Sequence, residues 1–184
     1  MKGLITVAVV LMLGAVVTAP AIGASGGGKP TFHFHEEVAE LDLNFCDTGK
    51  TVAVDGRVNG TSWVGETGGS VQEIKVNFNS RTTLTNPVTG AMVIDSVAAQ
   101  FNDRIVVGQE SGAHTHESTV HGLPEKLQSG NGRVLIRDAG TLTYRVSFDA
   151  DDNVTGLEIV RDSGHHEGFM SDRWCQVVIA ELGL

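Results

Sequence analysis

Between Arg133 and Asp149 the chain reads RVLIRDAGTLTYRVSFD. Even positions carry Val134, Ile136, Gly140, Leu142, Tyr144, Val146 and Phe148, and odd positions are mostly polar or charged. A period of two over this length specifies a half-buried antiparallel strand, bent or broken near Asp138–Gly140. A sheet with one apolar face must bury that face against something, so the stretch demands a sandwich or a closed barrel.

The rest of the chain repeats the theme. Ile74, Val76 and Phe78 alternate and run on through Ser80, Thr82 and Leu84; Val52, Val54 and Val58 mark another strand, with breaks expected at Asp55-Gly56 and Asn59-Gly60. Phe32 and Phe34 share one parity and Leu41, Leu43 and Phe45 the other, which predicts two short strands separated by a bulge. Val93, Val97, Ala99 and Phe101 read as a strand or a short helix, followed by a turn at Asn102-Asp103. Gly108 to Asn131 is the least strand-like part and is expected to be an irregular connection or a pair of short edge strands. Arg173 to Leu182 is apolar at both parities and reads as a last, deeply buried strand. The fold class expected is all-β, a single antiparallel β-barrel of about eight strands over residues 31–184, with a Greek-key β-sandwich as the alternative.

Met1-Lys2, the apolar run from Leu4 to Val17 and the small residues up to Ala24 form the pattern of a secretory signal peptide over residues 1–24. A Gly-rich leader, flexible by composition, follows at 25–30. The expected localisation is therefore secreted, without stable membrane insertion. Cys46 and Cys175 remain after processing, and in an exported chain such a pair reads as a disulfide, with free thiols or a cysteine nucleophile as the alternative. The net charge of -9 argues against nucleic acid as a partner and against a basic patch docking on anionic lipid.

Several groupings could carry chemistry. His114-Thr115-His116, five residues after Gly108 and followed by His121, resembles the start of the cupin metal motif, and alternate strand residues can share one transition metal. The remainder of that motif is not present, so no cofactor is expected beyond a transition metal at His114, His116 and His121. His33-Phe34-His35 and His165-His166-Glu167 are further histidine groups. Asp95 and Asp138 fall in phase with apolar neighbours and are expected to point inward. Asp138 with Tyr144 makes a candidate catalytic pair, against a structural turn or bulge closed by Asp138 and relieved by Gly140. Asp149, Asp151 and Asn153 offer either a calcium loop or a plain hairpin turn. Nucleophile elbows, Walker loops and dinucleotide fingerprints are absent from the sequence.

GLPEKLQSGNGRVLIRDAGTL from Gly122 to Leu142, Asn86-Pro87-Val88-Thr89-Gly90 and Trp174-Cys175-Gln176 resemble a group of uncharacterised proteins exported by actinobacteria. The layout is also similar to small antiparallel barrels of the allene oxide cyclase, dirigent and lipocalin type, and that likeness implies a small apolar molecule inside the barrel. Three functional readings follow. The first is a ligand-binding barrel lined by Phe32, Phe78, Leu142, Tyr144 and Phe148. The second is an isomerase or cyclase using an inward carboxylate on the same barrel. The third is an extracellular or envelope-associated interaction protein with a filled interior. Oligomeric state and ligand identity are not encoded in any motif.

Overall fold

The computed structural model describes residues 31–66, 71–107, 112–168 and 171–184; the expected signal peptide and leader lie outside these. Seven strands form one antiparallel sheet in sequence order: β1 (Thr31–Asp42), β2 (Val52–Glu66), β3 (Val71–Thr85), β4 (Met92–Val107), β5 (His114–Ser129), β6 (Val134–Phe148) and β7 (Val154–His165). Each strand is hydrogen-bonded to its neighbours in the chain, which makes an up-and-down meander rather than a Greek key. The sheet curls partway to a ring, giving an all-β, barrel-like fold. Strands of 15 residues run for about 50 Å, so the curled sheet is a long trough.

Among the described residues the expected last strand is a helix, α1 (Arg173–Leu182). Its apolar residues satisfy both readings. Trp174, Val178 and Leu182 recur at intervals of four, the helical period, while the run is too short and too uniformly apolar to show it. Gly183 then closes the helix in the left-handed conformation (φ 65°), and Leu184 N–H reaches back to the Ile179 carbonyl at 3.1 Å.

Other boundaries also moved. Gly108 to Asn131 contains the continuous strand β5 in the middle of the sheet, not an irregular connection or edge strands. Asn102-Asp103 lies inside β4, and Asp55-Gly56 and Asn59-Gly60 lie inside β2, so these turn signals were overridden by pairing on both sides. β1 keeps a single phase through Asp42. Leu41 and Leu43 are 59% and 69% exposed, and the chain turns through a short 3-10 segment, Phe45–Asp47, where a second strand was expected. Cys46 is in that turn, not in a strand.

One end of the trough is closed. Phe45, Val52, Leu84, Val93, Leu127 and Ile136 from the turn and strands pack with Val178 and Leu182 of α1 into the main core. The connections β1–β2, β3–β4 and β5–β6 all fall at this end, and α1 is fastened to each of them. Cys46 and Cys175 form a disulfide with their Cα atoms 5.9 Å apart. Asn86, in the β3–β4 turn, donates to the Leu182 carbonyl at 3.0 Å, and Arg133, at the β5–β6 turn, pairs with Glu181 at 2.9 Å. Helix and sheet are therefore tied together both covalently and by packing.

One cross-strand row is built of glycines. Gly122, Gly140 and Gly164 stand opposite one another on β5, β6 and β7 with φ of 110°, 135° and 131°. A Cβ on Gly140 would collide with the Ser163 carbonyl oxygen, and one on Gly164 with that of Ala139. Glycine is required there because the two backbones approach too closely for a side chain.

Candidate functional site

The register places the residues of the organising stretch on the inner face, the side on which α1 packs. From the closed end outward, the inner rows across β4, β5 and β6 run Asp95–Leu127–Ile136, then Glu125–Asp138, then Ala99–Gly122–Gly140, then Phe101–Val120–Leu142, then Asp103–Ser118–Tyr144, then Ile105–His116–Val146 and finally His114–Phe148. Val120 and Leu142 are buried. Phe32, Phe34, Phe78, Phe101 and Phe148 remain half-buried although they face inward, so the open end is a trough with apolar walls. The outer face is polar, with cross-strand pairs such as His33–Thr61 at 3.0 Å and Thr119–Thr143 at 3.0 Å.

At the open end, four side chains form a hydrogen-bonded chain. His116 Nδ1 donates to Asp103 Oδ2 at 2.8 Å, and Ser118 Oγ donates to Asp103 Oδ1 at 2.8 Å. The Tyr144 hydroxyl hydrogen-bonds Ser118. Asp103 is 4% exposed, and both of its oxygens are occupied, as a buried carboxylate requires. With the proton on Nδ1, the His116 ring presents Nε2 as a lone pair, the form a proton acceptor takes. Burial pushes the Tyr144 phenol up to about 12; its bond to Ser118 works against the shift and the nearby Asp103 adds to it. Tyr144 is thus a hydrogen-bond donor at neutral pH. Phe148 frames the group: its ring stacks on His114 at 4.8 Å and meets His116 edge-on at 5.1 Å.

A second polar group lies nearer the closed end. Glu125 and Asp138 are directly opposite each other on β5 and β6, both inward, with Asp95 one row below on β4. Glu125 is 8% and Asp138 0% exposed. Asp138 Oδ1 accepts from the Gly168 N–H at 3.1 Å, where the segment after β7 crosses the pair. Burial raises the Glu125 carboxyl to about 9, and the Asp95 and Asp138 charges add to the shift. Burial likewise raises Asp95 to about 7, offset in part by a hydrogen bond from the Ser96 backbone. Asp95 Oδ1 is shut off from solvent and finds no hydrogen-bond partner among the described residues.

The expected site residues divide between these regions. Phe32, Phe78, Leu142, Tyr144 and Phe148 share the inner face, as alternation requires. Asp138 and Tyr144 also share it, but six residues of strand, about 20 Å, separate them, so they do not form one catalytic pair. His114 and His116 lie side by side with ring centroids 5.2 Å apart. His121 leaves the opposite face and bonds Thr141 at 3.0 Å, so the three histidines do not converge. Among the described residues no group of three or more His, Cys, Asp or Glu is placed to hold a metal ion. Asp149 accepts from the Asp151 and Asn153 backbones at 2.9 Å each, the arrangement of a hairpin turn.

Three side chains of these polar groups are not among the expected site residues. Asp103 keeps the odd parity of Val97, Ala99, Phe101 and Ile105, a signal hidden by reading Asn102-Asp103 as a turn. Ser118 is in phase with His116, a signal that counts only when Gly108–Asn131 is a strand and not an irregular connection. Glu125 left no readable signal, because an extra residue at Leu123–Pro124 resets the parity of β5; proline has no N–H for the ladder, and the bulge falls there.

Two shallow hollows open on the outside of the molecule, one of about 260 Å³ beside Trp63, Glu73, Lys75 and Gln100, the other of about 370 Å³ between α1 and the start of β6. Among the described residues no helix is long and apolar enough to cross a membrane. No family model, curated protein or solved structure matches the chain.

Proposed function

We propose that the chain binds a small, largely apolar molecule along the inner face of its curled sheet. The observation that carries this reading is the partial exposure of the inward aromatic rings Phe32, Phe34, Phe78 and Phe101. A sheet folded for packing alone would shut such rings away, as it does Leu127 and Val93 at the closed end, both 0% exposed. His116 Nε2 and the Tyr144 hydroxyl oxygen supply acceptors for a polar group on the ligand at the open end. The disulfide and the signal-like N-terminus support action outside the cell, in keeping with the resemblance to exported actinobacterial proteins.

The test is binding of a neutral long-chain alcohol, 1-decanol, by calorimetry and by displacement of a neutral solvatochromic dye. Saturable binding is expected, abolished by Leu142→Glu on the inner face and kept in Thr143→Glu one residue away on the outer face. Equal loss in both variants, or no uptake by the native protein, refutes the reading.

One observation favours a second reading, an isomerase or cyclase. The Asp103–His116 pair orients an imidazole whose Nε2 is free to accept a proton from a bound substrate. In that reading His116 is the base, in place of the expected Asp138. Turnover of a candidate substrate that survives His116→Gln would exclude it.

A further inference from the structure

The two edges of the sheet, β1 and β7, are finished differently. An edge strand presents a row of unpaired backbone donors and acceptors, and lysine, proline or inward-pointing charges ordinarily guard it against pairing with another chain. β1 is guarded, because Glu36, Glu40 and Asp42 share the inward parity of Phe32 and Phe34. β7 has neither lysine nor proline over its 12 residues, and Leu157, Ile159 and Val160 on it are 52%, 43% and 44% exposed. Leu157 and Ile159 face inward opposite Val146 and Tyr144, and the inward charge of this strand, Asp162, lies beyond them opposite Leu142. The β7 edge therefore carries an apolar strip that no strand covers among the described residues.

The outer face indicates what this edge is complementary to. Glu73, Arg104, Glu117, Arg145 and Glu158 stand in register across β3 to β7, a row of alternating charge. Arg145 lies 2.7 Å from Glu117 and 3.0 Å from Glu158. The row ends on an acid at the edge. The next outward residue of β7 is Arg161, exposed, with uncharged Thr143 as its neighbour on β6. Separated by an odd number of positions, Glu158 and Arg161 would leave opposite faces of a regular strand. They share the outer face because Val160 is an extra residue between Ile159 and Arg161, opposite the Thr143–Tyr144 step. That bulge lets β7 pair antiparallel with a second β7 in a register closed to a regular strand. Centred between Ile159 and Val160, the pairing sets Glu158 against Arg161, Leu157 against Asp162 and Gly156 against Ser163, each on a matching face, and Ile159 against Val160.

We propose that β7 is the contact strand of a symmetric dimer, in which a second copy of the chain adds its own β7 antiparallel across this edge. The charge row then continues from Glu158 to Arg161 of the second copy. The twofold axis repeats that pair, so two ion pairs flank the apolar contact of Ile159 with Val160. The new ladder satisfies the free backbone groups along Gly156–Ser163 in both copies. So short a contact is small for a stable interface, and the association is reversible, with a Kd of about 1–50 µM.

The test is sedimentation velocity on the disulfide-bonded chain from about 1 to about 100 µM, at physiological salt to screen the acidic surface. A monomer–dimer equilibrium without larger species is expected. Glu158→Lys and Arg161→Glu each set like charges against one another twice per interface, and each should weaken self-association about tenfold or more. Mixed in equal amounts, the two variants should form a heterodimer of native affinity, because the lysine of one then faces the glutamate of the other while a native pair is kept beside it. That recovery also shows that both variants are folded. A native chain that stays monomeric at the highest concentration overturns the inference. So does self-association unchanged in both variants, or a mixture that associates no more strongly than either variant alone. Growth into open-ended oligomers, the product of β7 pairing with β1 of the next copy, overturns it as well.

Discussion

The two ends of the trough are built from the same alternating strands and finished in opposite ways. At the closed end, α1 fills the concavity, and Val52, Val93, Leu127 and Val178 are fully buried. At the open end Val120, Leu142 and Asp103 are buried as well, but the aromatic rings of the same parity stay partly exposed. The polar groups differ in the same sense. The Asp103 carboxylate at the open end has both oxygens satisfied by His116 and Ser118, whereas the carboxylates bordering the closed end face one another. Burial is thus most complete where the helix packs.

The sharpest way to break this asymmetry is to release the helix. Replacing both cysteines, Cys46→Ser with Cys175→Ser, opens a cross-link spanning 129 residues and is expected to cost about 4–5 kcal/mol in denaturant unfolding. Leu182→Ala removes a side chain 1% exposed from the same end and should cost about 3–4 kcal/mol. A loss below about 1 kcal/mol in Leu182→Ala would show that α1 is not the plug. At the open end, Asp103→Ala strands the His116 Nδ1 proton and the Ser118 hydroxyl, with an expected loss of about 3 kcal/mol; Asp103→Asn, which keeps acceptor capacity, should lose less. Phe101→Ala, half-exposed on the trough wall, should cost only about 1 kcal/mol and be read more strongly in decanol affinity than in unfolding.

The smallest effect at neutral pH, and the most diagnostic of the acid group, is the pH profile of stability. Glu125 and Asp95 have carboxyls raised in the folded protein to about 9 and about 7. The folded state then holds more protons than the unfolded state between the ordinary carboxyl range and those values, so stability falls as pH rises through that window. Thermal unfolding of the unliganded protein is expected at progressively lower temperature from about pH 5 to pH 9. Glu125→Gln, which removes an ionisable group from a place that opposes its charge, should flatten the slope and leave stability at pH 8 unchanged or higher. A slope as steep as that of the native protein would place the ionisation elsewhere.

The alternation of apolar and polar residues anticipated the antiparallel sheet and its apolar inner face. The likeness to a cupin metal motif did not carry over in geometry, because His121 falls on the outer parity of β5. A spacing motif transfers only when every residue in it keeps its face of the strand.

What the sequence determined by itself is the sheet. Strict period two in β3 and β6 assigns each side chain to a face, and the assignment holds for Ile74, Val76, Leu142 and Tyr144 because a one-residue slip would turn the whole apolar set to water. The sulfur bridge was also legible, since two cysteines in a chain with an export-like leader have few alternatives. Tertiary structure decided the rest. Whether the apolar run ending at Leu182 became strand or helix depended on what it packed against, not on its own pattern. Asp103 and Glu125 acquired their partners from strands 13 or more residues away, and the bulge at Leu123–Pro124 turned Glu125 inward. Short-range periodicity specifies which face a residue occupies; only closure of the sheet specifies what it meets there.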